Sequence, residues 1–158
     1  MNDSDERFVR RALTLANEAA TAGDVPIGAV LVSGDVVIEA KNEKESTPDA
    51  TAHAEMLALR EAAQRIGAWR LSDATMYVTK EPCVMCAGAM IAARIKRVVY
   101  AASDPKGGAD GGAFDILRSS KTNHRLEVTA GVLEEEAAEQ LRAFFRSKRG
   151  GTPEEGPD

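Results

Sequence analysis

Two short stretches of the sequence combine residue types that bind metals and carry protons. His53–Glu55 opens one predicted helix and Pro82–Cys86 opens another, with Cys83 following His53 by 30 residues. Because Cys83 and Cys86 are three positions apart on a helix, their sulfurs share one face of its first turn, where the helix dipole stabilises thiolates. One imidazole and two thiolates form a ligand set that suits zinc.

The number of ligands indicates a catalytic rather than a structural zinc site. Three protein ligands leave a fourth position for water, and zinc lowers the pKa of a bound water to roughly 7. Glu55 is two residues after His53 and points in a different direction on a helix, so both can serve one metal only if it lies off the helix end. We therefore expect His53, Cys83 and Cys86 to bind Zn²⁺, and Glu55 to move protons between water and substrate.

The elements that position these residues alternate between helices and strands. A hairpin turn is predicted at 33–35, Thr51 is the candidate N-cap of the second helix, and 114–117 is a candidate helical turn. The hairpin gives an antiparallel pair and the later strand–helix–strand units give parallel pairs, so we expect a three-layer α/β/α sandwich with a five-stranded mixed sheet. Helices are predicted over 7–22, 52–66, 83–94 and 133–148, and strands over 27–32, 36–40, 75–79, 97–101 and 126–129.

Length and composition indicate one domain of ordinary globular type. The chain has 158 residues, and we place the domain at 1–149. Residues 150–158 contain two prolines and no large apolar side chain, so a disordered acidic tail is expected. No apolar run is long enough to cross a membrane, and the acidic start is unlike a secretory signal. In the expected cytoplasmic location, a Cys-x-x-Cys spacing indicates a metal or redox site.

Charge does not settle whether the partner is a nucleic acid. The formal net charge is −5, which argues against such a partner. Basic residues nevertheless cluster locally, which modestly favours a nucleic-acid partner. The clusters are Arg94, Lys96 and Arg97, and then Arg142, Arg146, Lys148 and Arg149.

The full pattern resembles a known family. The H-x-E…P-C-x-x-C signature is that of zinc deaminases, in which a hydroxide attacks C4 of cytosine or C6 of adenine. Beyond the signature, the sequence resembles the bacterial tRNA-specific adenosine deaminases over roughly residues 8–149. The stretches that carry this resemblance are Val25–Val30, Thr51–Glu55, Glu81–Met90, Arg94–Tyr100, Asn123–Arg125 and Phe144–Arg146.

The resemblance implies a fold, an activity and a set of contacts. It implies a cytidine-deaminase-like fold, one Zn²⁺ per subunit, a homodimer, and conversion of the wobble adenosine of an arginine tRNA anticodon to inosine. Asn42 would bind the target nucleotide, while the anticodon loop would contact residues at the entrance and on the last helix. Those at the entrance are Asp104, Lys106 and Asn123, and those on the helix are Phe145 and Arg149. Lys80, Pro105 and Glu43, near the substrate mouth, depart from the residues usual in that family.

Other interpretations of these residues remain open. A deaminase of a free base or nucleoside, such as guanine or cytosine, would keep the metal site without needing a basic groove. A non-catalytic zinc-stabilised binding module would need a fourth ligand, for which His124 is the other candidate, and would not need Glu55. A redox pair at Cys83 and Cys86 would form a disulfide. Asn42 is also a common turn former, and Phe145 could belong to the core.

Overall fold

A five-stranded mixed sheet with four helices forms the frame of the molecule. The computed structural model describes residues 2–151, with the side chains of residues 2–148. Helix and strand types follow the predicted order. The elements are α1 (Asp3–Thr21), β1 (Gly28–Ser33), β2 (Val36–Lys41), α2 (Ala54–Ile66), β3 (Thr75–Lys80), α3 (Val84–Ala92), β4 (Arg97–Ala102), β5 (Glu127–Ala130) and α4 (Glu134–Gly151).

The strands lie in the order β2-β1-β3-β4-β5. β1 pairs antiparallel with both β2 and β3, while β3–β4 and β4–β5 are parallel. α1 and α4 contact each other, and both contact β3 and β4. α2 packs with α3 over the other face of the sheet. The predicted three-layer sandwich is therefore confirmed.

Alternation along the strands fills both sides of the sheet. On β1, Leu31 joins the core under α2 and α3, whereas its neighbour Val30 joins the core under α1. On β3, Met76 and Tyr77 divide in the same way. Successive side chains of a strand point to opposite faces, so an apolar strand buried on both sides supplies two cores at once.

Two local predictions were wrong, and one falls partly outside the described residues. Thr51 is not the N-cap of α2, because His53 holds that position, and the Thr51 side chain bonds to Asp49 instead. Residues 114–117 form no helical turn; instead Asp115, within this segment, forms an isolated β-bridge with Asp110. A disordered tail was predicted over residues 150–158, but α4 continues to Gly151. The rest of the predicted tail, residues 152–158, lies outside the described residues.

Three arginines of the two basic clusters pair with acidic side chains within the molecule. Arg97 binds Asp5, while Arg142 and Arg146 both pair with Glu139 on the same helix. These arginines therefore do not form an unpaired cationic surface, and their contribution to the choice of a nucleic-acid partner is smaller than the sequence indicated. Within residues 2–151, no helix has the length and apolar character needed to cross a bilayer.

A buried ion pair ties α1 to the sheet. The guanidinium of Arg97 on β4 donates to both carboxylate oxygens of Asp5, at 2.9 and 2.8 Å, and Asp5 is fully buried. The hydrogen bond from Arg97 lowers the pKa of the Asp5 carboxyl. Because the unfolded chain binds this proton at a higher pH than the folded protein, the pair stabilises the fold above the unfolded pKa of about 3.9, and this stabilisation is lost as the pH falls through the folded value.

We expect Asp5→Asn to lower the free energy of unfolding at pH 7 by about 2 kcal/mol, since it removes a hydrogen-bonded charge pair. Urea denaturation at pH 7 and at lower pH would measure the free energy of unfolding of both proteins. The difference in this free energy between variant and parent should become smaller below about pH 4. Glu39→Gln is the matched control, because its bidentate pair with Arg11 is exposed and should contribute below about 1 kcal/mol. Equal effects of the two substitutions would contradict the prediction.

Candidate active site

The N-terminal ends of α2 and α3 meet at the carboxyl end of β3. His53 is the N-cap of α2 and Cys83 is the N-cap of α3, both in extended backbone conformations. β3 leads through residues 81–82 directly to Cys83. Ligands commonly bind at the carboxyl ends of strands in open α/β sheets, and two helix N-termini add a positive potential there.

Three potential metal ligands come together at this point. His53 Nδ1 lies 3.6 Å from Cys83 Sγ and 3.5 Å from Cys86 Sγ, and all three ligand atoms lie within 4.8 Å of one another. Nitrogen and sulfur atoms bound tetrahedrally to zinc, at about 2.0 and 2.3 Å, are about 3.5 Å apart. The donor set and its spacing therefore fit a tetrahedral metal ion with three protein ligands.

The three potential ligands share hydrogen bonds, which shift their pKa values in different directions. A hydrogen bond from Cys86, together with one from His53, lowers the pKa of Cys83 to about 4. The hydrogen bond between the two cysteines, together with burial, raises the pKa of Cys86. The hydrogen bond between His53 and the Cys83 sulfur raises the pKa of His53. The pair thus carries a thiolate at neutral pH, which is the form of cysteine that ligates metals.

Glu55 adds a buried carboxyl group beside this cluster. Glu55 is 4% exposed, and within the part of the chain that the structure describes its Oε1 has no hydrogen-bond partner. Burial raises its pKa, which favours the protonated form relative to an exposed glutamate. An unpaired buried oxygen costs folding free energy and is rare in native proteins. Glu55 lines a cavity, where a water or a substrate can supply the missing partner.

Asn42 fixes the end of α2 that carries His53 and Glu55. Its side-chain Oδ1 accepts a hydrogen bond from the Ala54 N–H at 2.8 Å, and its own N–H donates to the Ile27 carbonyl. The cap of α2 thus comes from a residue 12 positions earlier in the chain. Asn42 also lines the cavity, so one side chain both positions the helix and borders the space for a ligand.

The cavity at the cluster is small and mixed in polarity. It has a volume of about 150 Å³, below the roughly 300–1,000 Å³ typical of drug-sized ligand sites. It can therefore admit one ring system rather than a whole nucleotide. Besides His53, Glu55 and Cys83, its walls include Asn42, Lys44, Lys80, Glu81, Asp104 and Gly107, with the apolar Val25 and Ile27.

The structure separates the other predicted site residues into two groups. Asp104 borders the cavity beside Asn42, whereas Lys106 and Asn123 are exposed and do not line it. Phe145 is half-buried against the core, and the Arg149 side chain lies outside the described residues. His124 is not part of the metal-ligand cluster, since its ring N–H donates to the Ile95 carbonyl.

Sequence reasoning did not identify Glu81 as a site residue. This carboxylate is 3% exposed, lines the cavity and accepts hydrogen bonds from backbone N–H groups of the loop after β4. Its position directly between a strand and the Pro-Cys pair, followed by a glycine-rich loop, was a signal that could have indicated it. Lys80, which departs from the usual family residue, pairs with Asp104 on the cavity wall at 3.2 Å.

Comparison with known proteins agrees with this geometry. Residues 3–149 match the family model described as MafB19-like deaminase. The chain is 48% identical to the tRNA-specific adenosine deaminase of Bacillus subtilis (strain 168), with 92% of this chain and 91% of the relative covered. A solved structure from a study of A-to-I editing by tRNA:A34 deaminases at the wobble position of transfer RNA aligns with a TM-score of 0.80 and 42% identity, covering 85% of this chain and 99% of that one.

A guanine deaminase provides a useful contrast. The structure of guanine deaminase from Bacillus subtilis covers 99% of both chains, but with a TM-score of 0.62 and 33% identity. Both values are lower than those for the tRNA:A34 deaminase structure, although all these proteins share the fold. The chain therefore belongs to the MafB19-like deaminases and, within them, to the tRNA-specific adenosine deaminases.

Proposed function

We propose that this protein hydrolyses adenosine to inosine at the wobble position of a tRNA anticodon, releasing ammonia. The observation that carries this proposal is the cavity in which the cluster of His53, Cys83 and Cys86 lies beside Glu55, whose Oε1 has no hydrogen-bond partner among the described residues. The frame around it is that of the tRNA-specific adenosine deaminases. The same chemistry on a free base, such as guanine or cytosine, is the alternative.

The residues divide the chemical work between them. His53, Cys83 and Cys86 would hold one Zn²⁺, which supplies a Lewis acid that lowers the pKa of water. Glu55 is buried at the cavity and does not belong to the ligand cluster, so it can take a proton from the attacking water. It would then deliver protons to the ring nitrogen and to the departing amine, which balances the uptake of water and the loss of ammonia.

The small cavity supports recognition of a base taken out of its stack. A volume of about 150 Å³ leaves the sugar, phosphates and neighbouring nucleotides outside. Asn42 and Asp104, on the walls, would contact the target nucleotide. Outside the cavity, the anticodon loop would contact Lys106, Asn123, Phe145 and Arg149. We assign the substrate to an arginine tRNA, and the enzyme to the cytoplasm, where thiols stay reduced.

We also propose that the enzyme is a homodimer. An apolar groove between α2 and α3, of about 330 Å³, is lined by Met56, Leu59, Ala63 and Trp69, with Ala89 and Ala92. Trp69 is 62% exposed, and the exposed Ile66 and Val84 belong to the same two helices. An apolar groove bordered by an exposed tryptophan is typical of protein–protein interfaces, and a second copy of the chain would cover it.

The substrate is tested by incubating the zinc-loaded enzyme with an anticodon stem-loop that carries adenosine at the wobble position. We expect inosine in the stem-loop and no turnover of free adenosine, guanine or cytidine, as followed by chromatography of the digested product. A stem-loop with adenosine only at the neighbouring position is the control and should remain unchanged. Turnover of a free base with an unmodified stem-loop would identify the alternative function.

The metal and proton roles are tested by variants. His53→Ala and Cys83→Ala should abolish zinc binding, as measured by inductively coupled plasma mass spectrometry. His124→Ala should retain zinc because His124 lies outside the cluster. Glu55→Gln should keep zinc but lower kcat by at least about 100-fold. Glu61→Gln, an exposed change on the same helix, should behave as the parent. Zinc retained without His53, or activity retained without Glu55, would refute these roles.

The dimer is tested by light scattering after size exclusion at micromolar protein. Trp69→Glu should convert the dimer to a monomer, because it places a charge in the apolar groove. Val37→Glu is the control: Val37 is 43% exposed but lies on β2, away from α2–α3 groove residues, and the dimer should persist. A monomeric parent, or a dimer that tolerates Trp69→Glu, would contradict the proposed interface.

A further inference from the structure

A buried carboxylate organises the loop that closes one side of the cavity. Glu81 follows β3 directly, and its Oε1 accepts the Asp104 N–H at 2.8 Å. Its Oε2 accepts the N–H groups of Asp110 at 2.7 Å and Gly112 at 3.0 Å. A carboxylate only accepts hydrogen bonds, so its two oxygens match these donors. The two ends of the 104–112 loop are thereby held by one side chain.

Glycine residues allow the loop to approach this close. A Cβ at Gly108 would lie 2.2 Å from the Glu81 carboxyl carbon, and a Cβ at Gly112 would lie 2.0 Å from the Asp104 carbonyl oxygen. Gly108 also forms a bridge with Cys83, and the Ala109 N–H donates to the Pro82 carbonyl. The loop is therefore wrapped around Glu81 and lies against the segment that carries a metal ligand.

The same arrangement places Asp104 on the cavity wall. Glu81 holds its backbone N–H, Lys80 pairs with its Oδ2 at 3.2 Å, and its Oδ1 accepts the Lys106 N–H at 3.1 Å. The Lys80 and Asp104 side chains are only 13% and 16% exposed, and both line the cavity, so the ion pair is largely shielded from solvent. The position of Asp104 and Gly107 at the cavity thus depends on contacts made by two consecutive residues at the end of β3.

We propose that Glu81 is a positioning residue for substrate binding, which acts through the loop 104–112. Its oxygens are engaged by the backbone of that loop, so it shapes the wall against which the target nucleotide binds and takes no part in proton transfer. This inference rests on the proposed function for its substrate, but the organisation of the loop by Glu81 does not depend on which base is deaminated. Loss of the carboxylate should therefore weaken substrate binding more than it slows chemistry.

The test compares Glu81→Gln with Asp5→Asn in the zinc-loaded enzyme. The amide of glutamine replaces one acceptor oxygen with a donor, so at least one loop N–H loses its partner. We expect Glu81→Gln to raise KM for the anticodon stem-loop by about tenfold, with kcat within about threefold and zinc content unchanged. Asp5→Asn removes a buried carboxylate on the opposite side of the sheet, and should lower Tm while leaving KM unchanged.

A second readout is independent of activity. Hydrogen exchange of the peptide spanning 103–112 should be faster in Glu81→Gln than in the parent, and unchanged in Asp5→Asn. Glu81→Asp keeps the charge but is one methylene shorter, so its KM should lie between those of the parent and Glu81→Gln. An unchanged KM or unchanged loop exchange in Glu81→Gln, or a KM increase shared by Asp5→Asn, would overturn the proposal.

Failure of the proposed function would be recognised separately. If the parent enzyme deaminates a free base and not the stem-loop, the substrate assignment is wrong, and the KM comparison is made with that base. Faster loop exchange together with a raised KM for the base would still support Glu81 as a positioning residue. Unaltered exchange would overturn it whichever substrate the parent uses.

Discussion

The site depends on one constraint: two helices must begin at the same point and leave their N-cap positions to potential metal ligands. His53 and Cys83 occupy these positions, and neither side chain caps its own helix. A free helix N-terminus carries unsatisfied N–H groups, so α2 takes its cap from Asn42 on the far side of the loop. The strand order that places the end of β2 beside β1, and β1 beside β3, brings that cap within reach.

Local patterns predicted the helices and strands, and the closeness of Cys83 to Cys86, because these features depend on short spacings. Cys83 and Cys86 are one helical turn apart, and the strands are apolar runs between clear turns, so sequence neighbours carry the signal. Even the requirement that the metal lie off a helix end followed from the two-residue spacing of His53 and Glu55. Such local patterns leave the order of strands in the sheet open, because that order depends on pairings between distant segments.

Long-range partners explain what the sequence did not predict. Thr51 was a reasonable cap by residue type, but Asn42 supplies the bond from 12 residues away. Arg97 belongs to a basic cluster in sequence, yet its partner Asp5 lies 92 residues earlier. Glu81 was missed because its partners are backbone N–H groups 23 to 31 residues later. Any residue type can supply a backbone N–H group except proline, so only the glycines that allow the close approach indicate this contact in the sequence.

The volume of the cavity has a consequence for how such an enzyme can change. A space of about 150 Å³ next to the ligand cluster has room for a single ring system. Discrimination between one polynucleotide and another must then be exercised by the loops and helix ends around the opening. Selectivity can therefore diverge by exchange of exposed residues outside the cavity, such as Lys106, while the reacting groups stay fixed. One chemical centre can in this way serve successive substrates during evolution.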